Sequence, residues 1–281
     1  MARQSKRVLA CSDLHSGHMV GLTPPAYQFK LNGGRVSAEE APVQKIRNKA
    51  ARIQRATWEF WRQEIDKLKP IDIVIVNGDS IDGKGSRSGA TELISADCNA
   101  QVEMAAVALL QTEAKHYVFT RGTPYHTGEA EDFEDLLADT LARHHNTKSV
   151  KIGNHEWVDV NGVVFDCKHK IGSSQVPHGR FTALARDVLW NLLWSVQEEQ
   201  PRADVVLRSH VHYHVYLGGG DEPLAMTLPA LQAMGTKFGS RQCCGRVHFG
   251  FVHFDVDAKG GVTWEPHIKK IAAQKATVTK L

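Results

Sequence analysis

Apolar residues follow two different rhythms in the first half of the chain. Lys6 to Cys11 is a strand-like run, and Ile71 to Val76, a β-branched run bounded by Pro70 and by Asn77-Gly78, reads as a buried strand of a parallel sheet. Between them Val43, Ile46, Ala50, Ile53, Thr57, Phe60 and Leu68 recur close to every 3.6 residues, while Lys45, Lys49, Arg52, Arg55 and Arg62 fall mostly off that stripe. This is the pattern of a helix with one buried face. Thr91 to Lys115 predicts a second helix, and His116 to Thr120 a third strand, broken by Gly122 and Pro124. Glu129 to His145 predicts a third helix, acidic in its first turn and basic in its last, as the helix dipole favours. The alternation βαβαβα calls for a parallel sheet covered by helices.

The second half is richer in strands. Trp157 to Val160 and Val163 to Cys167 flank Asn161-Gly162, a strong hairpin signal. Arg180 to Val196 carries a helical stripe. Ala203 to Leu207, His212 to Leu217, Leu224 to Leu228, Arg246 to Asp255 and Gly261 to His267 then read as strands, largely antiparallel. No linker or repeat interrupts the chain, so residues 1–270 are expected to form a single domain and 271–281 a frayed tail. Loops at 16–43 and 83–95 should flank the working edge of the sheet.

Composition narrows the class. With 281 residues, 42% of them apolar and 23% charged, the chain can bury a sizeable core and is not disordered. The longest uninterrupted apolar run, Met104 to Leu110, is far too short for a membrane span, and the first residues do not read as a secretory signal. Five cysteines (Cys11, Cys98, Cys167, Cys243 and Cys244) without Cys-x-x-Cys spacing argue against a disulfide framework or thiolate zinc site. The expectation is a cytoplasmic protein with no membrane partner. A net charge of +3 is too mild to call for nucleic acid by itself.

The distribution of histidines changes the picture. Each of the first three strand-like runs ends in ligand-type residues: Asp13-Leu14-His15, then Gly78-Asp79-Ser80-Ile81-Asp82, then Gly122-Thr123-Pro124-Tyr125-His126. His169 follows the hairpin, and Ser209-His210-Val211-His212 follows a later strand. In a parallel sheet the carboxyl ends of adjacent strands share one rim, where side chains distant in sequence can converge. Carboxylates with imidazoles and no thiolate suit manganese, iron or zinc, with nickel or magnesium as further possibilities in vitro.

This ordered set, spread over about residues 7 to 217, resembles the calcineurin-like metallophosphoesterases, and its wider phrasing resembles a subgroup met in bacteriophage and prophage genomes, which would place the protein in a bacterial host's cytoplasm. The resemblance implies an α/β fold, a four-layer α-β-β-α sandwich of two mixed β-sheets flanked by helices. It implies two divalent metal ions, one held by Asp13, His15 and His212, the other by His169 and His210, with Asp79 bridging them. It also implies hydrolysis of phosphate mono- or diesters through a hydroxide bridging the ions. Two departures stand out: Ser209 replaces the usual glycine before His210, and Gly122-Thr123 stands where the family carries Gly-Asn-His, so the asparagine ligand is missing unless Thr123 or water fills its place.

A literal Gly153-Asn154-His155-Glu156 occurs later. The third motif is read at Thr123 and His126, because that element ends the third strand, with Asn154 and His155 as the alternative. His126 would then be the acid that protonates the leaving oxygen, helped by Glu129 or Asp132, while Asp82 supports the ligands from behind and Arg180 could grip a phosphate oxygen. Two rivals stand beside the phosphoesterase. One is a nuclease of the same fold, motivated by the basic stretch from Arg35 to Lys69; the other is a non-catalytic binding protein whose second metal site has decayed, motivated by Thr123.

Overall fold

The computed structural model describes residues 4–34, 37, 39–128, 132–235, 246–271 and 278–279, without the side chains of Arg87 and Asp132. Parallel pairing begins with β1 (Lys6–Cys11) and β2 (Ile73–Asn77), joined in register Cys11 to Val76. The crossover between them is α1 (Ala41–Leu68). Next come α2 (Cys98–Leu110), β3 (His116–Thr120), the single turn α3 (Pro124–Thr127), α4 (Asp132–Ala142) and β4 (Ser149–Gly153). Strand β4 is a correction to the sequence reading, which left this stretch unassigned. It is an edge strand with only Val150 and Ile152 apolar, too short and polar to signal itself. The helix expected from Thr91 starts only at Cys98, where Asp97 accepts a hydrogen bond from the Asn99 N–H at 2.9 Å and caps it.

After the hairpin β5 (Glu156–Val160) and β6 (Val163–Cys167) come α5 (Gly179–Val196), β7 (Val205–Arg208), β8 (Val215–Leu217), β9 (Leu224–Thr227), β10 (Phe249–Val256) and β11 (Val262–Lys269). The first sheet runs β11-β10-β1-β2-β3-β4 and the second β5-β6-β7-β9-β8. The second half is therefore less antiparallel than its sequence suggests: β6, β7 and β9 pair in parallel, and β10 and β11 return to the first sheet as antiparallel partners.

Alternation along β1 shows how the layers form. Val8 and Ala10 face a core shared with Phe165, Leu207 and Met226 of the second sheet, while Leu9 and Cys11 face Trp61, Ile65 and Leu109 of α1 and α2. Helix α5 covers the far side of the second sheet through Leu184, packed with Val206 and Ala225. The result is two mixed sheets face to face between helical layers. Cys11, Cys98 and Cys167 are buried and free, whereas Cys243 and Cys244 lie outside the described residues. No helix among the described residues is long and apolar enough to cross a membrane.

One polar pin joins the second sheet to α5. Arg208 is buried and donates to both carboxylate oxygens of Asp166 at 2.8 and 3.2 Å and to Asp187 at 2.7 Å. Arg208→Met would leave Asp166 buried without its guanidinium, and should destabilise the fold by about 3–5 kcal/mol. Urea unfolding checks this, and a loss under about 1 kcal/mol, typical of a surface pair, would show the network to be dispensable.

Candidate metal centre

The carboxyl ends of β1, β2 and β3 open onto one rim. Asp13 and His15 follow β1, Asp79 follows β2, and Thr123 and His126 follow β3. His169 comes after β6, and His210 and His212 after β7, from the second sheet's matching edge. Among the described residues, Asp13 groups there with His15 and His212, and Asp79 with His169 and His210, each set with its ligand atoms within 4.8 Å of one another, and His15 also groups with Asp82 and His126. The His210 N–H donates to Asp13 Oδ2 at 3.3 Å, which ties the two groups together.

The backbone is bent out of its relaxed conformations to make this arrangement. Asp13, His15, Asp79, His210 and His212 all have φ between 42° and 73°, the left-handed region. Each such non-glycine residue costs about 1–2 kcal/mol, which is sustained only where the surroundings over-determine it. The strand expected from His212 is corrected: His212 has a positive φ and lies outside the ladder, and β8 begins at Val215. Gly122 is required by contact: a Cβ there would stand 2.1 Å from Asp79 Oδ1.

Hydrogen bonds fix which nitrogen each ring presents. His15 Nδ1 lies 2.8 Å from Asp82 Oδ1 and His169 Nδ1 2.7 Å from the Asn77 carbonyl. Both partners accept, so each Nδ1 carries a proton and each Nε2 turns inward. His15 Nε2, His169 Nε2 and Asp13 Oδ1 are buried without a hydrogen-bond partner. They nevertheless crowd opposite charge or lone pairs: His212 Nε2 is 3.1 Å from Asp13 Oδ1, and His169 Nε2 is 3.0 Å from Asp79 Oδ2. Buried polar atoms are rarely left without a partner, and carboxylate oxygens and imidazole nitrogens that converge in this way fit a cation between them.

Electrostatics points the same way. Burial alone would raise the Asp13 and Asp79 carboxyls, but the facing histidines outweigh it, His212 and His169 at Asp13 and His169 and His210 at Asp79, and hold both below the usual carboxylate range. Burial should likewise strip His169 of its proton, yet the charge of Asp79 pushes it up to about 10. Carboxylates that hold a proton on a buried imidazole are carboxylates that call for positive charge. Behind them, burial drives His18 down to about 4, so it stays neutral and accepts from the Val20 N–H.

The remaining expected residues divide clearly. Thr123 gives its N–H (2.7 Å) and hydroxyl (3.2 Å) to Asp79 Oδ1, so it orients that carboxylate. His126 Nδ1 is 2.8 Å from the Asp82 carbonyl, and its ring meets that of His15 edge-on at 4.4 Å. Because β4 is parallel to β3, Asn154 reaches the same rim, but its Oδ1 accepts from Arg121 at 3.1 Å. His155 turns away, with Nε2 2.7 Å from Asp166 and its ring stacked on Trp157. Arg180 lies over the Tyr213 ring, 4.2 Å from its centroid. Glu129, an expected partner of His126, and the side chain of Asp132, the other, lie outside what is described.

Two residues that the sequence reading passed over hold the rim from below. Gln101 on α2 accepts from the Asp82 and Gly83 N–H groups and donates to the Gly83 and Ser95 carbonyls, shaping the loop at 83–95. Glu134 on α4 is fully buried and accepts the N–H groups of Ser80 (2.9 Å) and Gly122 (2.7 Å). Burial, with Asp79 adding to it, raises this carboxyl from 4.5 to about 7. Without bound ions, the folded chain keeps a proton there that the unfolded chain has released. Stability should therefore fall as pH rises from about 4.5 to about 7, by on the order of 3 kcal/mol in total. Urea unfolding at pH 5 and 7.5 checks this, and Glu134→Gln should flatten the dependence; an unaltered slope would assign it elsewhere.

In front of the clusters lies a cleft of about 560 Å³ lined by His169, His210, His126, Arg121, Lys168 and Lys170. No family model matches the sequence, and no curated protein matches it significantly. Solved structures with a similar course include an archaeal phosphodiesterase (14% identity, 92% of this chain and 99% of that one, TM-score 0.43). They also include vacuolar protein sorting 29 from Cryptosporidium parvum (11%, 95% and 100%, 0.44) and the NAD nucleotidase of Haemophilus influenzae (10%, 95% and 51%, 0.37). Similarity this distant leaves the chemistry to be argued from the side chains.

Proposed function

We propose that the chain is a calcineurin-like metallophosphoesterase that hydrolyses phosphate mono- or diesters, of the phage and prophage type that its motif wording resembles. The observation that carries this reading is the pair of adjoining Asp/His clusters whose buried inward atoms lack hydrogen-bond partners. Asp13, His15 and His212 would hold one divalent ion and His169 and His210 the other, with Asp79 serving both. Manganese, iron or zinc held there would supply Lewis acidity and an activated water.

The chain's own groups do the rest. Lys168 and Lys170 line the cleft and attract the phosphate charge. Thr123 and Gly122 keep Asp79 aimed inward. His126, its Nδ1 tied to the Asp82 carbonyl, can present only Nε2 to a leaving oxygen. Burial and His15 lower its pKa, so the protonated form is lost as pH rises through a value below 6.5. The rate on substrates that need an acid should decline over the same interval. Elemental analysis of the purified chain, combined with a panel of phosphomonoesters, diesters and nucleic acids before and after chelation, tests the reading. Metal-dependent turnover on one class supports it; one tightly held ion with no turnover supports the non-catalytic alternative.

The exposed side of α1 favours a nucleic-acid substrate as the second reading. Lys45, Arg47, Arg52, Arg55 and Arg62 all reach solvent there. If this face binds phosphates, Arg52→Gln with Arg55→Gln should reduce the slope of log affinity against log salt by roughly 2 for duplex DNA. An unchanged slope and affinity would leave the face as ordinary solvated surface.

A further inference from the structure

On the face of the first sheet that α1 covers, away from the cleft, a second kind of histidine cluster stands. His253 on β10 pairs across the ladder with Glu265 on β11, and His267 shares their face, two residues on. The ligand atoms of the three lie within 4.8 Å of one another, and His253 Nδ1 is 2.8 Å from His267 Nε2. Each ring turns its other nitrogen to a carboxylate. His267 Nδ1 is 3.0 Å from Glu64 Oε2 on α1, and His253 Nε2 is 3.8 Å from Asp255 Oδ2. Those carboxylates are themselves anchored, Glu64 by Lys67 at 2.5 Å and Asp255 by the Arg7 fork at 2.7 and 2.8 Å. Phe251 stacks on His267 at 4.9 Å and 16°, fixing the ring plane.

The proton arithmetic of this pair is uneven. Two neutral imidazoles that meet nitrogen to nitrogen share one proton, so once His267 Nδ1–H serves Glu64, His253 Nδ1–H must serve His267. That leaves a bare His253 Nε2 pointed at a carboxylate, lone pair against lone pair. A cation in place of the shared proton resolves this. Both inner nitrogens become ligands, both outer N–H groups face carboxylates, and Glu265 completes three protein ligands. Imidazoles backed by carboxylates are the usual supporting arrangement of transition-metal sites.

We propose that His253 Nδ1, His267 Nε2 and the Glu265 carboxylate form a separate site for a divalent ion of the zinc class, with solvent in the open position. The site would clamp edge strand β11 to β10, and through Glu64 to α1. It does not depend on the reading of the cleft.

Zinc binding to the tag-free chain by equilibrium dialysis tests it. The wild-type chain should hold one more zinc than His253→Gln or His267→Gln, whatever the Asp13 and Asp79 clusters hold, and phosphoester turnover should be the same in all three. Glu64→Gln should keep the site but weaken it by about 10- to 100-fold. An independent reading needs no variant: in long-range ¹⁵N–¹H spectra of the wild-type chain, His253 Nδ1 and His267 Nε2 should shift on adding zinc. Equal zinc content across the wild-type chain and both variants, or imidazole signals that zinc leaves in place, would overturn the proposal.

Discussion

Asp79→Asn is expected to lower the divalent-ion content and abolish phosphoester turnover together. The carboxylate sits at the point where the two clusters meet, 3.0 Å from His169 and 4.0 Å from His210, and its charge bears on Asp13. An amide keeps the shape but carries no charge to hold a cation. It also presents N–H donors where Thr123 and His169 now face an acceptor. Elemental analysis and a rate measurement on the same sample read both effects. A variant that keeps its ions and turns over at a near-normal rate would remove Asp79 from the centre and unseat the reading of the first two motifs.

The second large effect separates the two candidates for the third motif. His126→Gln should keep the ions and lose about 10²- to 10⁴-fold in rate on alkyl esters, whose leaving oxygens need a proton. Esters of acidic phenols should suffer far less, because the departing phenolate needs no acid. His155→Gln should leave both substrates nearly unchanged, since its ring is tied to Asp166 and Trp157 and turned from the cleft. The opposite pattern, with His155→Gln showing the leaving-group dependence and His126→Gln silent, would move the acid to the Gly153-to-Glu156 element.

Much of the scaffold was legible because apolar runs with clear ends mark buried strands. Lys6–Cys11, His116–Thr120 and Val163–Cys167 are found with the bounds their patterns suggest. Strand β4 was not, because an edge strand with two apolar residues carries little pattern, and its discovery alters the weighing of the third motif. Asn154 and Thr123 now share one rim, so topology no longer separates them and only their partners do: Arg121 for the one, Asp79 for the other. The strand expected from His212 to Leu217 begins only at Val215, because alternation cannot reveal a left-handed φ at His212.

The supporting residues were the least legible. Glu134, in Phe133-Glu134-Asp135, reads as a solvent-facing helix position, yet its carboxylate is buried under two backbone N–H groups. Gln101 is equally silent in sequence, since nothing in its neighbours announces that it will satisfy a loop four times over. Such residues serve backbone groups far away in sequence, and backbone groups leave no composition to read. Asp166 escaped for a related reason: its partner Arg208 comes from the later strand β7, and Asp187, the other carboxylate that Arg208 holds, comes from α5.

The most direct test of the central claim is reconstitution of the metal-free chain with manganese, following turnover of a phosphodiester and a phosphomonoester against ions bound per chain. Using His253→Gln keeps the edge-strand cluster from contributing to the count. Turnover on at least one ester should be absent without ions and should level off at two per chain, the number the Asp13 and Asp79 clusters provide. Turnover that persists without ions, or no turnover on either ester with two ions bound, would contradict the account.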